Sequence, residues 1–335
     1  MKKFGWLLLV ALAVMGAQNA SAQNAFYKGK QIRLIVGTGA GQDYDVWGRL
    51  IGRHIVHHIP GEPGFITENM PGAGHIIAAN YMYSVAAQDG TVVGMVTRNI
   101  TDAALLNYPN VRFDPAKFHW LGSPEISHRA FFATPASGIN SAKELFEKEI
   151  VVGVTGPGQG VTTAPILLKN TLGMKIKIVG GYKAPLDIVL AMEKGEVGGL
   201  VDSLGSANDA RAEWIKSGKM KVLFTMEEDP LEWVKAPTIF EFTKTEEQKQ
   251  IFNFFAANLE LGRPMFTPPN VPMDRVNTLR RAYDATMIDP AFVKEATTLG
   301  FELSPQSGEK IEALVKETMA TPKSIIEKAE EMSKR

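Results

Sequence analysis

The 335-residue sequence contains no cysteine. That excludes disulfide cross-links, thiol nucleophiles, cysteine-bound metals and a lipid-modified cysteine anchor, so stability has to come from a packed core. A charge excess is also missing: 36 Lys and Arg balance 36 Asp and Glu. With no polybasic stripe, nothing draws the chain to nucleic acid or anionic lipid. After Met15 no stretch is apolar enough to span a bilayer, which takes about 20 residues. Gly-x-Ser-x-Gly, His-Glu-x-x-His and paired acids at a diagnostic spacing are absent as well, which leaves the common hydrolase mechanisms without their residues.

The N-terminus carries an export signal. Lys2 and Lys3 precede the apolar run Trp6 to Met15, and Ala20-Ser21-Ala22 supplies the small-x-small pattern of a cleavage site. The run is too short for a membrane anchor. Cleavage after Ala22 is expected, giving a signal peptide of residues 1–22 and a mature periplasmic chain from Gln23, long enough for two domains.

Along the mature chain, strand and helix signals alternate. Strands are expected at Gln31–Val36, Phe65–Met70, Thr91–Thr97, His119–Gly122, Ala130–Thr134, Ile150–Thr155, Lys175–Val179, Gly198–Asp202, Lys221–Met226 and Phe252–Leu259. Helices are expected at Asp45–His57 and Gly74–Val85, and Asp274–Lys334 reads as helices broken at Asp289-Pro290, Ser304-Pro305 and Thr321-Pro322, with Asp274, Ser304 and Thr321 as N-caps. This alternation predicts α/β layers with mainly parallel sheets and ligands at the C-terminal strand ends.

Two glycine-rich turns fall at such ends. Gly37-Thr38-Gly39-Ala40-Gly41-Gln42-Asp43-Tyr44 follows the first strand, and Thr155-Gly156-Pro157-Gly158-Gln159-Gly160-Val161-Thr162-Thr163 follows Ile150–Val154. Glycine lets the backbone approach a ligand, and the start of a helix offers unpaired N–H groups that favour a carboxylate or phosphate. Neither turn carries a Walker lysine. Gln159, Thr162 and Thr163 are neutral donors, able to hold an anion without leaving a buried cation when the site empties, or else to cap the helix. A third turn, Pro71-Gly72-Ala73-Gly74-His75, follows the second strand.

Other polar residues carry two readings. Asp43 would repel a second carboxylate in an anion-binding turn, so it faces a ligand's amine or hydroxyl or caps the next helix. Arg98, at the end of the third strand, suits a bidentate carboxylate contact or a surface ion pair. Tyr182, Asp202 and Ser203 occupy comparable rims in the second half. His54, His57 and His58 share a helical spacing open to metal, yet no neighbouring carboxylate or cysteine completes a ligand set; packed or solvated histidines are the simpler reading. Trp47, Phe252, Phe254 and Phe255 read as core, with Trp47 also near enough to the first turn to wall a pocket.

The order of glycine turn with Tyr44-Asp45, then Asn69-Met70-Pro71-Gly72-Ala73-Gly74, then Ala87-Gln88-Asp89-Gly90-Thr91 resembles the substrate-binding proteins of tripartite tricarboxylate transporters, the Bug family. Gly181-Tyr182-Lys183, Leu190 to Val197, Gly262-Arg263-Pro264 to Pro269, and Leu279 to Met287 continue it across nearly the whole mature chain. The resemblance implies a two-lobed, type II (Venus-flytrap) periplasmic binding protein with a two-crossover hinge. Lobe 1 would be 23–124 and 253–335, lobe 2 125–252. It implies a monomeric receptor that closes on a small organic carboxylate and passes it to integral-membrane permease subunits, without cofactor, metal or nucleic acid; a sensor presenting the ligand to a membrane signalling protein is the alternative, and an enzyme on the same pocket a weaker one. Ligand contacts would come from Gly39, Ala40, Gly41, Gln42, Asp43 and Tyr44, from Gly72, Ala73, Gly74 and His75, and from Gly156, Gly158, Gln159, Gly160, Val161, Thr162 and Thr163. Where many relatives have consecutive glycines before Tyr-Asp, this chain has Gln42-Asp43.

Overall fold

The computed structural model describes residues 26–156, 160–204 and 210–334. In chain order the first elements are β1 (Gln31–Val36), α1 (Asp43–Ile55), β2 (Gly64–Asn69), α2 (Ile76–Ser84), β3 (Val92–Met95), α3 (Ile100–Leu105), β4 (His119–Ser123) and β5 (Arg129–Ala133). There follow β6 (Ile150–Gly153), α4 (Gly160–Leu172), β7 (Ile176–Val179), α5 (Pro185–Glu193), β8 (Gly199–Ser203), α6 (Ala210–Lys216) and β9 (Lys221–Thr225). The chain ends in α7 (Glu246–Leu261), β10 (Met265–Thr267), α8 (Met273–Met287), α9 (Pro290–Thr298), β11 (Gln306–Ser307), α10 (Gly308–Met319) and α11 (Lys323–Met332).

These elements form two compact units. Unit 1 runs through Glu125 and resumes at Arg263–Leu299 and Leu303–Lys316; unit 2 is Ile126–Gly262 with Gly300–Glu302 and the chain from Glu317. The second crossover therefore lies at Gly262/Arg263, where the sequence suggested 252/253. The reason is that Phe252–Leu259 is not a strand but the heart of α7. Thr245 accepts a hydrogen bond from the Gln248 N–H at 3.2 Å and caps this helix, and Ile251, Phe252, Phe254, Asn258, Leu259 and Leu261 are its buried face. The chain's last helix also belongs to unit 2: α11 packs on α7 and α4, and Asn170 donates to the carbonyls of Met332 and Lys334, each at 2.9 Å.

Both sheets are mixed. Unit 1 has the strand order β11-β4-β10-β3-β1-β2, with β1 parallel to β2 and β3, and β10 antiparallel to β3 and β4. Unit 2 has β7-β6-β8-β5-β9, with β6 parallel to β7 and β8, and β5 antiparallel to β8 and β9. Strand β10 lies between Pro264 and Pro268 and is too short to show a period in sequence. Leu34, Ile35 and Val36 of β1 are buried in succession, so the end of this strand is covered on both faces, while Arg33 before them is half-buried and pairs with Glu68.

Helix α1 packs on β1 and β2 and on α8 and α9, and buries Trp47, Leu50, Ile51 and Ile55, each side chain contributing roughly 1.5–3 kcal/mol through its burial. Its approach is close because Gly52 has no side chain. A Cβ there would stand 2.2 Å from the Phe65 ring. Of the expected N-caps, Asp274 falls within α8, whose N-cap is Pro272; α11 likewise begins after Pro322, and α10 at Gly308. Asp289 does cap a helix, accepting from the Ala291 N–H of α9 at 2.8 Å.

Candidate functional site

In unit 1 the parallel strands β1, β2 and β3 end at one edge, and their three following loops meet there. Asn69, ending β2, donates to the Thr38 carbonyl at 2.9 Å and to Asp45 Oδ1 at 2.8 Å. His75 Nδ1 accepts from the Thr97 N–H at 3.0 Å, and the Tyr44 hydroxyl accepts from the Arg98 N–H at 3.2 Å. The Tyr44 and His75 rings meet edge to face at 5.1 Å. The edge thus gathers the sequence-predicted residues Gly39–Tyr44, Gly72–His75 and Arg98.

The loop that carries His75 is strained. Gly72, Ala73, Gly74 and His75 all have positive φ, at 132°, 46°, 61° and 73°. Left-handed backbone costs a non-glycine residue on the order of 1–2 kcal/mol, so Ala73 and His75 are held there by their surroundings. His75 is fixed over Gly37, where a Cβ would be 2.4 Å from Nδ1. Since Nδ1 accepts, the ring proton sits on Nε2. Burial lowers the His75 pKa, against the pull of Asp43, the same direction as an Nδ1 that accepts a hydrogen bond.

The amides of the first glycine turn have acceptors of their own. Gly39 N–H donates to Gln42 Oε1 at 3.1 Å, Gly41 N–H to Asp45 Oδ2 at 2.8 Å, and Tyr44 N–H to Asp43 Oδ1 at 2.9 Å. Gln42, not Asp43, is the N-cap position of α1, and its side chain makes no capping bond there. Asp43 instead pairs with Arg263, whose Nη2 lies 2.9 Å from Oδ2. The same guanidinium pairs through Nη1 with Glu125 and lies over the Tyr44 ring, 5.4 Å from its centroid. Main chain completes the junction: Arg263 N–H donates to Ser123 Oγ, which donates to the Glu125 carbonyl, both at 2.9 Å. Sequence reasoning left Arg263 out of the site, although Gly262-Arg263-Pro264 carries part of the family resemblance.

In unit 2 the corresponding edge lies at the ends of β6 and β8. The Thr162 hydroxyl donates to the Gly156 carbonyl at 2.8 Å and lies 3.5 Å from Thr155 Oγ1. It therefore closes the turn, a use distinct from both helix capping and ligand donation. Gly158 and Gln159 lie outside the described residues. Val161 is buried in the core cluster of this unit, and Tyr182 packs against that cluster; Thr163 is half-buried. Asp202 is buried and Ser203 half-buried at the end of β8, where Arg129, the first residue of β5, stands opposite Ser203.

Arg129 is the second residue that the sequence reading missed. Its guanidinium occupies the space in front of Gly160 at the start of α4: a Cβ on Gly160 would stand 2.2 Å from Nη2. A cation at the positive end of a helix is unfavourable alone and favourable beside an anion. Its backbone N–H donates to Glu227 at 2.7 Å, and Glu227 also pairs with His128 at 3.4 Å.

The three histidines at helical spacing lie outside both edges, and His57 is exposed. His54 pairs with Glu295 at 2.7 Å and His58 with Asp289 at 3.0 Å, fastening α1 and the turn after it to α9. Among the described residues no group of three or more His, Asp or Glu could hold a metal ion, and no helix is long and apolar enough to cross a membrane.

Comparison with known proteins agrees with this architecture. A curated protein of Cupriavidus necator, the UPF0065 protein in the gbd 5′ region, is 25% identical, with 96% of this chain and 94% of that protein covered. The TctC solute binding protein from Polaromonas, solved without ligand, superposes with a TM-score of 0.72 at 20% identity, covering 90% of this chain and 99% of that one. MatC from Rhodopseudomonas palustris, solved with bound malate, gives a TM-score of 0.59 at 18% identity, covering 89% and 99%. The sequence itself matches the profile described as tripartite tricarboxylate transporter family receptor over residues 57–330, and the chain belongs to that family.

Proposed function

We propose that this protein is a periplasmic solute receptor that captures a small carboxylate-containing ligand and delivers it to a tripartite tricarboxylate-type membrane permease. The observation that carries the reading is the family match, which spans most of both units. Local chemistry supports it. In unit 2 an arginine and the start of α4 converge where an anion would be held, and in unit 1 three loops meet around Tyr44 and His75. The malate held by the R. palustris neighbour is of the same chemical class. Export follows from Lys2, Lys3, the short apolar run and Ala20-Ser21-Ala22, with a mature monomer beginning at Gln23.

A thermal-shift screen of the mature protein against mono- and dicarboxylates, hydroxy acids and amino acids tests the reading. A true ligand at a hundredfold excess over Kd stabilises the native state by about 2.7 kcal/mol. No shift with any carboxylate would refute capture of this class. N-terminal sequencing of periplasmic protein should begin at Gln23, and retention of Met1 would refute cleavage.

A further inference from the structure

The ion cluster at the unit 1 edge bears on which carboxylates the receptor accepts. Arg263 is one cation set against two carboxylates, Asp43 and Glu125, so the three groups together retain one negative charge. The charge is unevenly placed. The Arg263 and Glu125 side chains are 18% and 16% exposed, while Asp43 is 52% exposed. Arg263 has both terminal nitrogens engaged and its flat face over Tyr44, which suits a counter-ion for Asp43 more than a receptor for a ligand carboxylate. Asp45 already has Arg49, at 2.9 Å, and His75 Nδ1 is occupied as the acceptor of the Thr97 N–H. The backbone N–H groups of Gly39, Gly41 and Tyr44 are occupied by Gln42, Asp45 and Asp43. One polar group in the same turn is unsatisfied: the Thr38 hydroxyl, in a residue 8% exposed, has no hydrogen-bond partner among the described residues.

We propose that Asp43, kept in place by Arg263, is a specificity-determining residue that disfavours a second carboxylate and selects a ligand whose end at the unit 1 turn is a hydrogen-bond donor or a cation. The ligand class is then a monocarboxylate with an amino or hydroxyl group at its far end. This rests on the receptor reading above and deepens it. A carboxylate at the turn is repelled by Asp43, whose side chain is 52% exposed, and finds the Gly39, Gly41 and Tyr44 amides already taken, whereas an ammonium or hydroxyl can donate to Asp43 in a charge-assisted hydrogen bond. A glycine at this position would impose no such choice.

The test is calorimetric titration with pairs matched in chain length: malonate, succinate, glutarate and adipate, each against the ω-amino and ω-hydroxy monocarboxylates of the same carbon count. The unaltered protein should bind at least one ω-amino or ω-hydroxy acid more tightly than its dicarboxylate. In Asp43→Asn the ratio should move at least tenfold toward the dicarboxylate; Asp43→Ser should do the same and guards against a fold defect peculiar to one variant. A dicarboxylate preference in the unaltered protein that is lost in Arg98→Gln would overturn the proposal, because it would make Arg98 a receptor for the second carboxylate. An unchanged ratio in both Asp43 variants would overturn it while leaving the receptor reading intact. Absence of binding by every member of the panel to all the proteins would overturn both.

Discussion

Asp43 and Asp45 flank Tyr44, and their surroundings give the two carboxylates different work. Asp43 is exposed and reaches an arginine 220 residues away. Asp45 is 2% exposed and holds the turn together, taking hydrogen bonds from Gly41, Asn69 and Arg49. Burial raises the Asp45 pKa, but those hydrogen bonds outweigh it and hold the carboxyl below its ordinary range. Because the folded pKa is depressed, the stabilisation is present above the unfolded value and fades as pH falls through the folded one. Asp45→Asn should therefore lower the urea unfolding free energy at neutral pH by roughly 1.5–3 kcal/mol, the worth of hydrogen bonds to a charged group. A variant as stable as the parent would remove Asp45 from the account of the turn. At this scale the sequence showed which residues are polar and near a glycine turn, but not their partners. Arg263 and Arg129 reach the two edges through tertiary placement, and no local pattern around either one announces that.

Helices and strands were more legible than their partners. Ile150–Val152 declares itself by continuous β-branched apolar character, and Ile32–Val36 by β-branched and apolar residues broken only at Arg33; they are β6 and β1. Phe252–Leu259 misleads because its aromatic residues favour strands, while the helix start that overrides them lies upstream in Thr245-Glu246-Glu247-Gln248, a capping-box pattern. Two glycines at helix surfaces make contrasting predictions. A Cβ at Gly52 of α1 would meet the Phe65 ring, which is packed under the helix, so Gly52→Ala should cost about 1–3 kcal/mol by overpacking. At Gly160 of α4 the obstruction is the far end of Arg129, which can swing aside. Gly160→Ala should thus change unfolding free energy by less than about 1 kcal/mol, the scale of a Gly-to-Ala exchange in a helix, yet weaken carboxylate binding by displacing the guanidinium. Denaturation and titration of both variants check this; a Gly160→Ala protein that binds as the parent does would separate Arg129 from the ligand.

For the whole molecule, two units were foreseeable from two glycine turns and the family resemblance, but the return of α11 to unit 2 was not, since an amphipathic helix shows that it has a partner without showing which. The division has a consequence in acid. Among the described residues, most of the carboxyls held below their ordinary range lie in unit 1. Asp289 is lowered by the Ala291 N–H and His58, Glu295 by His54 and Arg53, and Glu68 by Arg33. Asp45, Asp89 and Glu312 are pushed up by burial but carried lower by their hydrogen bonds. Asp284, raised by burial and by Glu309, works in the opposite direction in the same unit. In unit 2 Glu144 is lowered too, by Lys148 in an i,i+4 pair whose lysine is 57% exposed, and such a pair contributes little. Depressed carboxyls lose their contribution as pH falls from the ordinary carboxylate range toward their folded pKa values, so acid should loosen unit 1 before unit 2. Hydrogen exchange followed by mass spectrometry and corrected for intrinsic rates should show β1 and β3 losing protection at a higher pH than β5 and β6. Glu295→Gln should narrow the interval by removing one of the titrating groups, whereas simultaneous loss in both units, or earlier loss in β5 and β6, would show that these ion pairs do not set the acid limit of the fold.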